Sequence, residues 1–128
     1  MDMLSAMNTG HDGSLSTGHG NSTADMLGRL ETMVLSGARL PLEAIRQQIA
    51  SALDIIIHLA RIRDKSRKTM EISEVVEYRN GEIILNPLFA FAEEGEGQGG
   101  SVVGKLERTG NKMINTLKFK MAGISEDI

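Results

Sequence analysis

The sequence contains no cysteine and no tryptophan, and aromatic side chains make up only 3% of its 128 residues. The absence of cysteine excludes disulfide bonds and thiolate metal sites. No apolar run approaches the roughly 18 residues that a membrane-spanning helix requires. No basic segment followed by an apolar one opens the chain, as it would in a secretory leader. These absences favour a cytoplasmic location.

A strong charge of either sign is also missing, because 14 basic and 17 acidic residues leave a net charge of −3. One basic cluster stands out, but an acidic total and almost no aromatic residues argue against nucleic acid as a partner. With so few aromatics, aliphatic residues and eight methionines must fill the core of what the length predicts to be a single domain. The basic cluster consists of Arg61, Arg63, Lys65, Arg67 and Lys68.

Two amphipathic helices are predicted in the first half of the chain. Residues 24–35 place apolar side chains on one helical face, with Ser22 or Thr23 available as the cap and Gly37 as the end. We expect Pro41 at the first position of the second helix, and both helices are expected to pack on a sheet. The buried face of the second helix is predicted to contain Leu42, Ile45, Ile49, Ala52 and Leu53.

β-Strands are predicted to follow the helices. Residues 54–63 hold a continuous Ile-rich run, which predicts a strand that is buried on both faces at first. Residues 69–78 alternate apolar and polar side chains. The pair Asn80-Gly81 predicts a type I′ hairpin turn into an antiparallel strand over 82–85, since both residues accept a positive φ.

The remaining segments complete an α/β fold in which helices precede antiparallel strands and a hairpin. Residues 93–100 predict an acidic, glycine-rich loop, and residues 102–107 a last strand. Helical spacing of Met113, Ile114, Leu117 and Met121 predicts a closing helix. The single domain 1–128 thus divides into a polar segment with two helices and a strand (2–63), a hairpin region (64–92), the acidic loop (93–100) and a C-terminal strand and helix (101–128).

The polar segment at residues 8–22 is the strongest candidate for a site. It contains His11 and His19 among glycines and hydroxyl residues, which let the backbone approach a polar group while imidazole exchanges a proton near neutral pH. Upstream, residues 2–7 predict a short helical tail, and residues 13–18 a short strand bounded by glycines. The alternative is a purely structural role, in which these side chains form the hydrogen bonds that hold a loop together.

Other chemistries are less well supported in the same segment. On one extended strand the two histidines would lie roughly 26 Å apart, and no close-spaced ligand pair is present, so we expect no metal site. No serine stands on a nucleophile elbow. Near the acidic loop, Gly99, Gly104 and Lys105 match part of a phosphate-loop pattern, but Leu106 replaces its Ser or Thr and no helix-forming run follows. The glycines between residues 95 and 100 also match a dinucleotide pattern, which neighbouring glutamates make unsuitable for a pyrophosphate.

Four stretches together resemble a known family. They are GHDGSLSTGHGNS at 10–22, RLETMVL at 29–35, LPLEAIRQQIASA at 40–52 and RIRD at 61–64. The first is similar to the histidine box of the secretion ATPases of type II and type IV systems, most closely the CpaF-like branch of Tad and Flp pilus motors. The resemblance is dense over residues 2–90 and thin beyond, where only RTG at 108–110 and AGI at 122–124 are similar.

The resemblance implies a RecA-like P-loop domain that assembles as a hexameric ring and uses ATP and Mg²⁺ for pilus assembly or export. It implies that His11 approaches the terminal phosphate, and that His19, with Thr17 beside it, couples the nucleotide to subunit motion. Arg61, Arg63 and Arg67 resemble the family's basic strand and turn. Arg61 and Arg63 are candidates for contact with a phosphate or a neighbouring subunit, and a solvated strand end is the alternative. Other implied partners are the N-terminal half of the motor and an inner-membrane platform, which would place the assembled protein at the inner face of the cytoplasmic membrane.

The family's phosphate-binding loop and acidic Walker B segment would both lie before residue 1. We therefore expect this chain to correspond to the C-terminal part of a motor domain, a fragment or a truncated reading frame, without tight ATP binding or turnover alone. Loss of the first strands of the parent sheet would leave an exposed edge. The alternative function is a non-catalytic interaction module that pairs with a complete motor or another cytoplasmic partner through this edge and a Met-rich surface.

Overall fold

Two helices followed by a four-stranded antiparallel sheet make up the fold, in a computed structural model that describes residues 15, 17–37 and 41–124. This arrangement confirms the predicted α/β fold class. A five-residue helix lies close to the C-terminal end of the described chain. The elements are α1 (Thr23–Gly37), α2 (Leu42–Ala52), β1 (Ile55–Arg61), β2 (Arg67–Arg79), β3 (Glu82–Glu96), β4 (Val102–Arg108) and α3 (Leu117–Met121).

The helices form where apolar side chains recur at helical spacing, and they meet over the sheet. Ile45 and Ile49 of α2 are fully buried, so each contributes about 1.5–3 kcal/mol of apolar burial. Ile56 of β1 and Leu85 of β3 pack against the same cluster, which places both helices on one face of the sheet. The cluster consists of Leu27, Leu30, Val34, Ile45, Ile49 and Ala52.

The start of α2 differs from the prediction by one position. Helix α2 begins at Leu42, and Pro41 is the residue before it, with φ −59° and ψ 147°. The carbonyl of Pro41 accepts the first helical hydrogen bond from the N–H of Ile45 at 3.1 Å. A proline fits this place because it donates no hydrogen bond and its φ is already restricted.

The strands form a simple meander in the order β1-β2-β3-β4, with every neighbouring pair antiparallel. The turn between β2 and β3 is the predicted hairpin, in which Asn80 and Gly81 have φ values of 52° and 82°. These positive values are those of a type I′ turn, so this prediction is confirmed.

Strand β1 is not buried on both faces, so that expectation is wrong. Its side chains alternate between exposed and half-buried positions, and Ile57 and Leu59 are 55% and 64% exposed. The helices cover only the face that carries Ile56, which leaves the other row of side chains open among the described residues. An uninterrupted apolar run in the sequence therefore does not show that both faces of the strand are covered.

Strand β3 is much longer than predicted. It continues from Glu82 through Pro87 to Glu96, so the first half of the predicted acidic loop is strand, and Glu93 pairs with Gly104 of β4. The connection to β4 is a short turn that includes Gln98–Gly100. Pro87 is tolerated because the register of β2 and β3 shifts next to its partner Ser73, where a ladder hydrogen bond is not required.

The C-terminal segment is only partly helical. Helix α3 covers Leu117–Met121, whereas Met113 and Ile114 precede it in an irregular stretch. We call residues 109–124 the C-terminal arm. Polar contacts hold the first part of the arm to the sheet: Thr109 Oγ1 donates to the carbonyl of Pro87 at 2.7 Å, and Asn115 Nδ2 donates to that of Val76 at 3.0 Å.

Candidate functional site

The second histidine of the polar segment lies directly before α1. The structure describes residues 17–22 as irregular chain, with the side chains of Thr17 and His19 exposed. His11 and the predicted tail at 2–7 lie outside the described residues. Of the strand predicted at 13–18, residues 15, 17 and 18 are described and are not in a strand.

Residues 21–25 fix the first turn of α1. Ser22 Oγ accepts the N–H of Asp25 at 3.0 Å, and Asp25 Oδ2 accepts the N–H of Asn21 at 2.8 Å. Ser22 is therefore the cap, which decides between the two candidates in the sequence. The Asn21 N–H and the Arg29 guanidinium hold the pKa of the Asp25 carboxyl below its usual value.

Two glycines bring residues 17–22, which we call the histidine segment, onto the helix. A Cβ added to Gly18 would lie 2.3 Å from Met26 Cε, and one added to Gly20 would lie 3.2 Å from Met26 Cα and N. Only residues without a side chain fit this approach without displacing Met26. His19 stands between the two glycines, so it extends from a segment that packs against the first turn of α1.

A carboxylate on β2 ties this helix to the sheet. Thr23 Oγ1 donates to Glu71 Oε2 at 2.7 Å, and Ser73 Oγ donates to the same oxygen at 2.5 Å. Thr23 and Ser73 are 4% and 0% exposed. Glu71 pairs with His58 of β1 in the strand register, on the sheet face that α1 covers. The chain that bears His19 is thus connected to β2 through one buried threonine.

The two arginine candidates lie at the end of β1 and in the turn that follows. Arg61 is exposed, and its Nε donates to the carbonyl of Lys65 at 3.2 Å. Arg63 forms ion pairs with Glu93 and Glu96 of β3. The Arg63 guanidinium lowers the pKa of Glu93, since it donates a hydrogen bond to that carboxylate. Both arginines are engaged within the chain, and their predicted phosphate or subunit contact stays a prediction.

The neighbouring turn residue, Asp64, reaches across the sheet. Its carboxylate accepts the N–H and the hydroxyl of Ser66, at 2.9 and 2.5 Å, and the N–H of Val102 at 2.8 Å. These donors lower the pKa of Asp64 from 3.8 to about 2. The β1–β2 turn is therefore bonded to the first residue of β4, on the far side of β3.

Arg46 on α2 connects both helices to the hairpin. Its Nε donates to Glu31 of α1 at 2.9 Å, and its Nη1 donates to the carbonyl of Gly81 at 2.9 Å. The hydrogen bond to Glu31 raises the pKa of the Arg46 guanidinium. This arginine therefore has a structural task inside the chain.

The partial phosphate-loop pattern near the acidic segment is part of the sheet. Gly104 and Lys105 belong to strand β4, and Lys105 lies 4.0 Å from Glu107, so the partial phosphate-loop pattern is not a loop that opens a helix. Over residues 15, 17–37 and 41–124, no three His, Cys, Asp or Glu side chains are grouped as a metal site would require. Among the described candidates, His19 and Arg61 have exposed side chains that can donate a hydrogen bond to a phosphate.

Sequence reasoning missed Glu71 and the hydrogen bond that Thr23 donates to it. The residues are 48 positions apart, and no spacing rule links a helix cap to a strand at that distance. A useful signal was the neighbouring pair Ser22-Thr23, since only one of them could cap the helix. The other hydroxyl then needed a separate partner, because buried polar groups are almost always hydrogen-bonded.

Comparison with known proteins identifies the family. Residues 1–99 match the family described as type II/IV secretion system protein. The chain therefore belongs to the type II/IV secretion system protein family, which confirms the resemblance at that level.

Individual relatives are named for conjugal transfer. A protein of Mycobacterium tuberculosis is 36% identical over 73 residues, which cover 57% of this chain and 20% of that protein. The conjugal transfer protein TrbB of Rhizobium radiobacter is 31% identical over 80 residues, which cover 62% of this chain and 24% of TrbB. The chain thus spans about a fifth to a quarter of the length of these relatives. Within its described helices, none is long and apolar enough to cross a membrane.

Proposed function

We propose that this chain is the histidine-bearing C-terminal portion of a secretion ATPase that powers type II/IV secretion, with assembly of a Tad or Flp pilus as the specific task. Membership of the secretion family supports the class. The observation that carries the proposal is the position of His19, which is exposed between two glycines packed on Met26 of α1. A histidine whose only role was to form hydrogen bonds within a loop would not need an exposed position between two packed glycines.

The chemistry asked of the histidines is limited. An imidazole N–H donates a hydrogen bond to a phosphate oxygen and loses that bond when the phosphate leaves. When bound in the complete protein, ATP with Mg²⁺ supplies the phosphoryl group whose transfer powers the motor. His19 then senses the phosphate, Thr17 adds a hydroxyl donor beside it, and His11 takes the terminal-phosphate contact that the family resemblance implies.

Local contacts connect the backbone of His19 to the rest of the fold. Its segment contacts α1 through Met26, and α1 contacts the sheet through Thr23 and Glu71. The backbone that carries His19 is therefore packed against α1 and is not part of a free loop. A phosphate-dependent contact at His19 thereby reaches the sheet.

The remaining assignments belong to the same proposal. The complete motor is a hexameric ring at the inner face of the cytoplasmic membrane, in contact with an inner-membrane platform. Arg63 would have to leave Glu93 and Glu96 before it contacted a phosphate or a neighbouring subunit. Arg61 would need to give up a single exposed hydrogen bond, so it is the more available of the two.

A second candidate function is a non-catalytic interaction module. The observation that favours it is the row of exposed apolar side chains at Ile55, Ile57 and Leu59, on a strand that has one neighbour among the described strands. Such a row suits β-strand addition by a partner. Association without any effect on ATP turnover would support this function over the first.

The deciding experiment measures magnesium-dependent ATP hydrolysis by this chain mixed with a separately produced phosphate-loop half. We expect turnover from the mixture alone, and a loss of about tenfold or more in kcat for His11→Ala and for His19→Ala. His58→Gln is the matched control, because His58 is a half-buried strand residue outside the histidine segment. Unchanged turnover in both histidine variants, with the halves associated, would overturn the assignment.

A further inference from the structure

Glu71 is a half-buried carboxylate that the proposed chemistry does not use. It lies on the sheet face covered by α1, and it receives two hydroxyl donors on one oxygen. One donor, Ser73, comes from its own strand, whereas the other, Thr23, comes from the first turn of α1. Glu71 therefore links β2 to the start of α1, although 47 residues lie between Thr23 and Glu71 in the sequence.

The bond to Thr23 acts on the part of α1 that bears the histidine segment. Ser22 next to it caps the helix, and Gly20 lies so close to Met26 that an added Cβ would come within 3.2 Å of its N and Cα atoms. Residues 20–26 therefore form one connected unit of cap, first turn and close glycine approach. Thr23 is the member of this unit whose side chain is hydrogen-bonded to the sheet.

The apolar contacts of α1 do not replace this link. The buried side chains Leu27, Leu30 and Val34 lie further along the helix and fix its body on α2 and the sheet. Met26 is only partly buried, so the first turn has less apolar support than the later ones. A charge-assisted hydrogen bond is roughly twice as strong as a neutral one, which suits a single fixing point at this end.

From this geometry we infer that Glu71 is a positioning residue for the histidine segment: through Thr23 it fixes the first turn of α1, and hence the place of His19 relative to β2. The inference rests on the proposed function, since it gives Glu71 a part in a reaction that His19 serves. Glu71 does not itself contact phosphate.

The first test is a spectroscopic one on the chain alone. We expect Glu71→Ala and Thr23→Val to shift the backbone and imidazole NMR signals of His19 in the same direction, with no further shift in the double variant. Ser73→Ala is the control, since it removes the other donor and leaves the bond to Thr23. Unchanged His19 signals in both Glu71→Ala and Thr23→Val would overturn the inference, whatever the ATPase assay shows.

The second test uses the reconstituted mixture of the two halves. We expect Glu71→Ala to lower kcat about tenfold with little change in KM, Glu71→Gln to recover part of the loss, and Glu71→Ala to add nothing in a His19→Ala background. Additive losses would mean that Glu71 acts through general stability, and they would overturn the positioning role.

The two proposals fail in different ways. If Glu71→Ala shifts the His19 signals while both His11→Ala and His19→Ala leave turnover unchanged, the positioning contact is real and the proposed function is wrong. If His19→Ala abolishes turnover while Glu71→Ala changes neither signals nor rate, the function stands and the positioning role is wrong. Where Glu71→Ala does not fold, as judged by the amide signals of β2 and β3, Thr23→Val gives the same decision.

Discussion

Glu74 Oε2 accepts the backbone N–H of Asn115 at 2.7 Å, although the two residues are 41 positions apart in the sequence. The other carboxylate oxygen accepts the N–H of Ile114 at 2.8 Å and the side-chain amide of Asn86 at 3.1 Å. Glu74 is only 1% exposed, so three protein donors replace the water that a carboxylate normally binds. A buried acid on β2 thus fixes the C-terminal arm.

Glu74→Gln should release the arm. The variant keeps the shape of the side chain but turns one acceptor into a donor, which then faces a backbone N–H. We expect a loss of about 3 kcal/mol in the free energy of unfolding, measured by urea denaturation, and faster amide exchange at Ile114 and Asn115. Glu77→Gln, at an exposed position of the same strand, should stay within about 0.5 kcal/mol. Equal effects of the two variants would contradict the buried role of Glu74.

The same substitution at three glycines should have three different results. Gly20→Ala brings a Cβ to 3.2 Å from backbone atoms of Met26 and should cost about 1 kcal/mol. Gly18→Ala meets only the flexible end of the Met26 side chain and should cost less. Gly28→Ala, with nothing within 4 Å inside α1, should stabilise by about 0.5–1 kcal/mol. Thermal unfolding of the three variants gives the order, and a stabilising Gly20→Ala would rule out the close contact.

The hairpin turn gives a separate test of backbone conformation. Gly81 has φ 82°, which an L-residue with a Cβ adopts at a cost of roughly 1–2 kcal/mol. Gly81→Ala should therefore lower the unfolding free energy by about that amount, although a Cβ there would meet no other atom within 4 Å. The measurement is denaturant unfolding, with an unchanged m-value as the sign that only the turn is affected. A neutral result would mean that the turn relaxes to another type.

Asp64 should make stability depend on pH in the acid range. Its folded pKa of about 2 lies below the ordinary 3.8, so its contribution is complete above about pH 4 and is lost as the pH falls toward 2. Asp64→Asn should lower the melting temperature at about pH 6, and the gap to the parent chain should narrow at about pH 2.5. Asp54→Asn, an exposed aspartate just before β1, is the control. A gap that does not change with pH would show that the carboxylate charge is not responsible.

The parts of the fold that follow from local pattern could be predicted from the sequence. Helices α1 and α2 follow from apolar spacing, and the hairpin follows from Asn80-Gly81, because both signals depend on residues a few positions apart. The continuation of β3 through Pro87 could not be predicted, since proline is tolerated there only because of a register shift against β2. The open row on β1 was missed because an apolar run does not report which faces other elements cover.

The candidate site likewise has parts that could be predicted from the sequence and parts that could not. His19 and Thr17 could be selected from composition and family resemblance, but their support could not. The bond from Thr23 to Glu71 joins residues that are distant in sequence, and the contact of Gly20 with Met26 depends on how the chain enters the helix. Arg63 was selected for its charge, whereas its engagement with Glu93 and Glu96 depends on how far β3 extends.

Side-chain hydrogen bonds hold β4 at both ends, in addition to its backbone hydrogen bonds to β3. At its start the Val102 N–H donates to Asp64, and just after its end Thr109 donates to the carbonyls of Pro87 and Leu88. A strand with one neighbour normally frays from an end, where few bonds hold it. Because both ends of β4 carry these extra hydrogen bonds, the strand detaches from β3 only when one of them and the adjacent backbone hydrogen bonds break together. The amides of β4 should then exchange as one cooperative group.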